Sequence, residues 1–158
     1  MRRHYIPFHK IIPAYFRNRT KRLIKSPKVY WMDPSFSIYL SGYYDKRTLK
    51  KSREYGSFFE ALVYHHLRIM ANLLKPKANI YYWRTVYGDE VDFIIEYGNK
   101  IIPIEVKSSE RVHQKDLKAL RVFLKEYPFT IMGIVVYRGN DIVQLGKKIF
   151  AVPIANFL

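Results

Sequence analysis

Gly88-Asp89-Glu90-Val91-Asp92-Phe93-Ile94-Ile95-Glu96-Tyr97-Gly98-Asn99-Lys100-Ile101-Ile102-Pro103-Ile104-Glu105-Val106-Lys107 decides the fold. Gly98-Asn99 between two apolar-rich runs predicts a hairpin, with strands over 90–96 and 100–108. Counting outward from that turn, Tyr97 faces Lys100, Ile95 faces Ile102, Phe93 faces Ile104, Asp92 faces Glu105 and Glu90 faces Lys107. Alternation then puts Val91, Phe93 and Ile95 on one face with Ile102, Ile104 and Val106. The other face carries Asp92, Ile94, Ile101, Pro103, Glu105 and Lys107. Directly opposed side chains lie about 4.5–5.5 Å apart at Cβ, where like charges repel. Two carboxylates set opposite each other on a partly apolar, helix-covered face therefore need a partner.

A divalent cation would supply it. Mg²⁺ or Mn²⁺ takes hard oxygen ligands, often one or two carboxylates completed by water and substrate phosphate. Asp92 and Glu105 would hold the metal, with a backbone carbonyl of Ile104 or Val106 as a further ligand. Lys107, on the same face, would orient the attacking water or stabilise negative charge in the transition state. On spacing alone, a solvated strand face in which Lys107 pairs with Glu90 or Glu105 explains the pattern as well.

Working outward, a helix is expected from about Ser57 to Leu74, with Phe59, Leu62, Val63, His66, Met70 and Leu73 inward and Lys75-Pro76 as its stop. Glu60 lies in its first turn, where Ser57-Phe58-Phe59-Glu60 matches a capping box, and spacing alone favours that role. Ile80–Thr85 is a strand on which Tyr82 and Arg84 share a face and are placed to contact phosphate. Gln114–Glu126 is a helix with Leu117, Leu120, Phe123 and Leu124 inward. Ile131–Tyr137 is a buried strand, parallel to 100–108 because the crossover is long. Ile149–Ile154 is a last strand, placed at an edge because Pro153 lacks a ladder donor. Upstream, Lys28–Trp31 reads as a strand, Pro34–Ser41 as a short helix closed by Gly42, and Asp45–Arg53 as a polar connector. The sum is an α/β sandwich with a central mixed sheet.

The chain has 158 residues, 28 Lys and Arg against 13 Asp and Glu, and a formal charge of +15, which favours a polyanionic partner, DNA first. Residues 1–30 form a basic arm whose Lys21, Arg22, Lys25 and Lys28 stand among aromatics, a mixture suited to phosphate contact and base stacking. An arm docked by its aromatics onto the domain 31–158 fits equally. There is no cysteine, which excludes disulfides, thiolate zinc sites and cysteine nucleophiles and fits a cytoplasmic location. No P-loop motif occurs, and no apolar run reaches membrane-spanning length. The oligomeric state is left open, a dimer included.

Gly56-Ser57-Phe58-Phe59-Glu60, Tyr81-Tyr82-Trp83-Arg84-Thr85, Gly88-Asp89-Glu90-Val91-Asp92-Phe93, Ile102-Pro103-Ile104-Glu105-Val106-Lys107-Ser108-Ser109 and Lys21-Arg22-Leu23-Ile24-Lys25-Ser26-Pro27-Lys28-Val29-Tyr30 together resemble one pattern. It is that of the uncharacterised C-terminal domain of a prokaryotic AAA-type ATPase family, in the PD-(D/E)xK nuclease-like superfamily. The resemblance runs from about Ile11 onward. It implies a restriction-endonuclease-like sandwich, a Mg²⁺- or Mn²⁺-dependent deoxyribonuclease activity and an AAA-type ATPase as partner. It matches Asp92 to the superfamily's first acid, Glu105 and Lys107 to its (D/E)xK pair, and Glu60 to the helix acid of many members, a metal or water ligand. Val91 stands where the motif's proline would be. The ATPase half is absent, and the basic arm is matched to a remnant of the winged-helix linker.

Overall fold

The computed structural model of the chain describes residues 8–16 and 26–157. Two strands, β1 (His9–Ile12) and β2 (Lys28–Trp31), form an antiparallel ribbon. Three helices follow, α1 (Pro34–Leu40), α2 (Lys46–Lys51) and α3 (Tyr55–Leu73). Then come β3 (Asn79–Arg84), β4 (Glu90–Tyr97), β5 (Lys100–Lys107), a 3-10 turn at Gln114–Leu117 and α4 (Lys118–Glu126). The chain closes with β6 (Gly133–Tyr137), β7 (Val143–Gly146), β8 (Ile149–Pro153) and a terminal 3-10 turn. The main sheet has six strands in the order β3-β4-β5-β6-β8-β7. β3, β4 and β5 are antiparallel, whereas β5-β6 and β6-β8 are parallel, so the sheet is mixed.

The sheet has a core on each face, which makes an α/β sandwich. On the α3 side, Phe59, Val63, Tyr64 and Leu67 pack with Phe93, Ile104, Val106 and Val136, and the ribbon adds Ile12 and Tyr30. On the α4 side, Leu117, Leu120 and Phe123 pack with Trp83, Val91, Ile94, Ile101 and Val135. Residues 12–15 pass from one side to the other around the β3 edge: Ile12 is in the first core and Tyr15 in the second. Tyr82 N–H donates to the Pro13 carbonyl (3.2 Å) and Tyr15 N–H to the Tyr82 carbonyl (2.6 Å), so this edge is covered.

The hairpin forms in the expected register from Tyr97↔Lys100 to Phe93↔Ile104, with Gly98 at φ 61° in its turn. Beyond Phe93 the alternation breaks. Tyr81 pairs with Ile94 and Trp83 with Val91, so three steps along β4 match two along β3. This bulge turns Val91 into the α4-side core with Ile94, not to the face of Phe93 and Ile95 as alternation implied. An inserted residue leaves no mark on composition, and bulges re-aim the side chains beside them.

Other expectations are corrected as well. α3 starts at Tyr55, two residues before Ser57, and buries Phe59, Ala61, Val63, Tyr64, Leu67 and Ala71. Met70 and Leu73 are exposed instead. The polar connector contains α2, capped by Asp45, whose carboxylate accepts from Arg47 and Thr48 N–H (both 2.9 Å). β8 is not an edge strand: β7 lies outside it, and Pro153 is tolerated as the last residue of β8. No described helix is long and apolar enough to cross a membrane.

Candidate active site

The bulge lies beside Asp92, and there the two hairpin strands contribute side chains rather than ladder bonds. Asp92 Oδ2 accepts the Val106 N–H at 2.8 Å, tying β4 to β5 where the regular pairing has ended. Glu105, only 7% exposed, accepts from Lys107 Nζ through Oε1 at 2.9 Å. Its other oxygen, Oε2, is buried without a hydrogen-bond partner. Asp92, Glu105, Lys107 and Glu60 line one cleft of about 350 Å³, together with Arg53 and Ser57 from the start of α3 and the segment before it.

Glu60 does not cap the helix. Its Oε1 accepts from Lys28 Nζ (3.2 Å) and from the Tyr30 hydroxyl. The capping expectation fails because α3 begins at Tyr55 with Glu54 as its N-cap, leaving Ser57 and Glu60 inside the helix. Lys28 sits among three carboxylates: Glu60, Glu90 and Asp92, the last at 3.5 Å from its ammonium. Lys28 and Tyr30 are two apart on β2, so both side chains leave the ribbon toward α3. Sequence reasoning assigned Lys28 to phosphate contact and missed Tyr30; the Lys-x-Tyr alternation was the available signal. Glu90 does not face Lys107; it is held by Lys28 and lies 3.6 Å from Arg84 Nε. Arg84 is half-exposed at the rim of this cluster. Tyr82 is buried and its hydroxyl donates to the Ser26 carbonyl (2.6 Å), which removes it from phosphate contact. Lys21, Arg22 and Lys25 lie outside the described residues.

The electrostatics follow from crowding. Burial, then the charges of Glu105 and Glu60, push Asp92 up to about 8, against the opposing pull of Lys28 and the Val106 N–H. Burial also raises Glu105, although Lys107 works against it. For Lys28, burial favours the neutral amine, but Glu60, Asp92 and Glu90 outweigh it and keep the ammonium charged above the usual lysine range. Lys107 is raised in the same way, with Glu105 overcoming burial.

These shifts predict an inverse pH dependence of stability. Asp92 ionises at 3.8 in its ordinary state and at about 8 when folded, so the folded chain holds a proton that the unfolded chain has released. That contribution is complete below pH 4 and is lost as pH rises toward 8. The metal-free protein is expected to melt at progressively lower temperature across this window. Added Mg²⁺ should offset the fall most at pH 8, since binding needs ionised carboxylates. Thermal melts in EDTA and in Mg²⁺ from pH 5 to 8.5 check it; a flat EDTA series would contradict it.

The residues present fit a divalent cation. Two hard oxygen donors converge, one of them buried and lacking any partner. Among the described residues, no three His, Asp or Glu side chains form a ready-made cage. A cation held by Asp92 and Glu105 would thus complete its shell with water and substrate oxygen, as Mg²⁺ commonly does.

Two curated relatives, the uncharacterized proteins Rv2008c of Mycobacterium tuberculosis and Mb2031c of Mycobacterium bovis, are each 29% identical to this chain over 142 residues. The alignments cover 90% of this chain and 31% of each relative, so the chain spans about a third of their length. Among solved structures, one similar chain comes from an assembly of Thermococcus gammatolerans McrB AAA+ hexamers with bound McrC. It aligns at a TM-score of 0.44 and 14% identity, over 62% of this chain and 27% of that one. A family model matches residues 55–157, from the first turn of α3 to the terminal 3-10 turn, and takes in Glu60, Asp92, Glu105 and Lys107; the chain belongs to the family described as Domain of unknown function (DUF4143).

Proposed function

We propose that this domain is a metal-dependent deoxyribonuclease, hydrolysing phosphodiester bonds with Asp92 and Glu105 as metal ligands and Lys107 as the catalytic cation. The observation that carries the reading is the half-buried Asp92 beside the buried Glu105 in one cleft, with Glu105 Oε2 unpartnered and Lys107 on its other oxygen. A divalent ion in this cleft would acidify water and polarise a phosphoryl oxygen. The protein's own part is positional. Glu105 holds the Lys107 ammonium at the mouth of the cleft, where it meets charge developing on the phosphorane oxygens. The Val106 N–H fixes Asp92 and leaves Asp92 Oδ1 toward the cluster. Glu60, pinned by Lys28 and Tyr30, sets the acidic potential at the cleft's inner wall rather than acting as a free ligand. Arg84 at the rim is suited to a substrate phosphate.

Labelled single-stranded, duplex, flap and four-way-junction DNA, incubated with the protein in Mg²⁺, Mn²⁺ or EDTA, tests the reading. Metal-dependent cutting of at least one substrate is expected, and none with any metal would remove it.

Lys28 has a separate consequence. Its ammonium occupies the field that a cation would otherwise fill, so Lys28→Met should make Mg²⁺ bind more tightly and lower the melting temperature of the metal-free protein. Mn²⁺ titration followed by electron paramagnetic resonance reads the first effect and a melt in EDTA the second. Unchanged Mn²⁺ affinity would detach Lys28 from the site.

A second reading, a non-catalytic nucleic-acid- or partner-binding module of an AAA-type ATPase system, is favoured by one surface. Ile11 and Val29, paired across the ribbon, and Trp31, edge-on to Phe36 of α1, are all exposed. Contiguous apolar surface of this kind marks interaction sites. DNA binding without cutting, alongside a folded Asp92–Glu105 site, would favour this reading.

A further inference from the structure

A second cleft, of about 390 Å³, opens farther along α3. Lys10 of β1, Arg68 of α3 and Lys77 from the loop after α3 line it, with Asn72, Asn79 and Tyr64, and no carboxylate lines it. Among the described residues, two buried side-chain polar atoms lack a hydrogen-bond partner: Glu105 Oε2 in the acidic cleft and Arg68 Nε here. A buried guanidinium N–H without an acceptor is costly, and an anion seated beside it would remove the cost. The two clefts are joined by one helix stripe. Glu60, Tyr64 and Arg68 follow at four-residue spacing, so they are neighbours on α3. Tyr64 packs on Tyr30 at 4.7 Å between ring centres and anchors the middle of the stripe. Eight residues separate Glu60 from Arg68, about 12 Å of helix rise. Three or four nucleotides of a strand cover about that distance at 3.4 Å per step.

We propose that the Lys10–Arg68–Lys77 cleft is a phosphate seat for the nucleic-acid backbone, gripping the strand a few nucleotides from the bond that the acidic cleft addresses. Mono- or diphosphate shares the chemistry, but a chain of charge +15 that places one basic and one acidic cleft along a single helix is built for an extended polyanion. The proposal rests on the phosphodiesterase reading for the identity of that polyanion. The seat's contribution to binding does not need the metal.

The test is fluorescence anisotropy with a labelled 20-nucleotide strand and its duplex, in EDTA, across a salt series. Arg68→Gln is expected to weaken binding at least about 10-fold and to lower the salt slope by about one. Lys10→Gln with Lys77→Gln should act in the same direction, and Arg68→Lys should restore part of the loss. Melting temperatures of all variants verify folding. Wild-type affinity in Arg68→Gln, or no DNA binding by the wild type, overturns the seat. Inorganic phosphate and pyrophosphate are added as competitors. Displacement of DNA only at salt-like concentrations supports the backbone. Arg68-dependent binding of phosphate or pyrophosphate without any effect of Arg68→Gln on DNA assigns the cleft to a free anion and overturns the proposal. Arg68-dependent DNA binding with no cleavage in any metal leaves the seat standing while the nuclease reading falls.

Discussion

Asp92→Asn is expected to lower metal-dependent cleavage by at least about 100-fold while raising the melting temperature of the metal-free protein at pH 8. The two effects have one origin. Asn keeps the shape of Asp and an oxygen that still accepts the Val106 N–H. It removes a carboxylate whose ionisation is opposed by burial and by Glu105 and Glu60. The folded state is thereby relieved of a like-charge contact that the unfolded chain does not have. The attraction to Lys28 is lost too, but Lys28 keeps Glu60 and Glu90 as partners. A purely structural Asp92 would give the opposite pairing, lower stability with any loss of activity following from it. Cleavage that survives the substitution would remove Asp92 from the metal site. Rates on labelled DNA and melts at pH 6 and 8 separate these outcomes, with the stabilisation smaller at pH 6, where Asp92 is already largely protonated.

Phe93→Ala is expected to cost about 3–5 kcal/mol of folding stability, read from urea denaturation. Phe93 is fully buried on the α3 side of the sheet, with ring centres 5.5 Å from Tyr30 and 5.9 Å from Tyr64. It is the contact through which ribbon, helix and hairpin meet. Truncation leaves a cavity that three separate elements would have to close. Total stabilities are about 5–15 kcal/mol, so a marginal protein would not survive it. Phe93→Leu should cost less than about 1.5 kcal/mol if the neighbouring rings repack. A loss under about 1 kcal/mol for the alanine variant would mean that the ribbon does not depend on this core.

The parts of the fold that were legible in the sequence are the ones encoded locally. Gly98-Asn99 specifies its turn through a positive φ, and the register of Phe93, Ile95, Ile102 and Ile104 follows by counting. The parallel placement of β6 beside β5 follows from the length of the crossover. The misread parts depend on neighbours that the local pattern of apolar and polar residues does not show. β1 has one apolar pair and is a strand only because β2 lies beside it. β7, with Gln144 and Gly146, is ordered by β8. The buried stripe of α3 escaped because Ala61, Tyr64 and Ala71 carry it, while the larger Met70 and Leu73 face outward. At the site, spacing placed Asp92, Glu105 and Lys107 within reach of one another, and they share a cleft. Spacing did not reveal that a bulge aims Asp92, or that Lys28 and Tyr30 reach across from the ribbon to take Glu60. Both features are tertiary, and neither changes the local pattern of apolar and polar residues.

The site is assembled from pieces that become available at different times. The β4–β5 hairpin closes over a two-residue turn, and hairpins of this kind form within microseconds. β6 must then be brought back across α4, and β8 after it, both as parallel partners, which is slow because loop closure precedes any contact. Lys28 joins from the opposite end of the chain, when the ribbon docks on α3. For the interval between, Asp92 and Glu105 stand together with Lys107 of their own hairpin but without Lys28. Docking buries the pair and raises Asp92 toward about 8, so refolding should quicken as pH is lowered from 8 toward 5, and Mg²⁺ should speed it most at pH 8. The order of assembly makes the acidic pair a kinetic obstacle until the ribbon brings Lys28 to it.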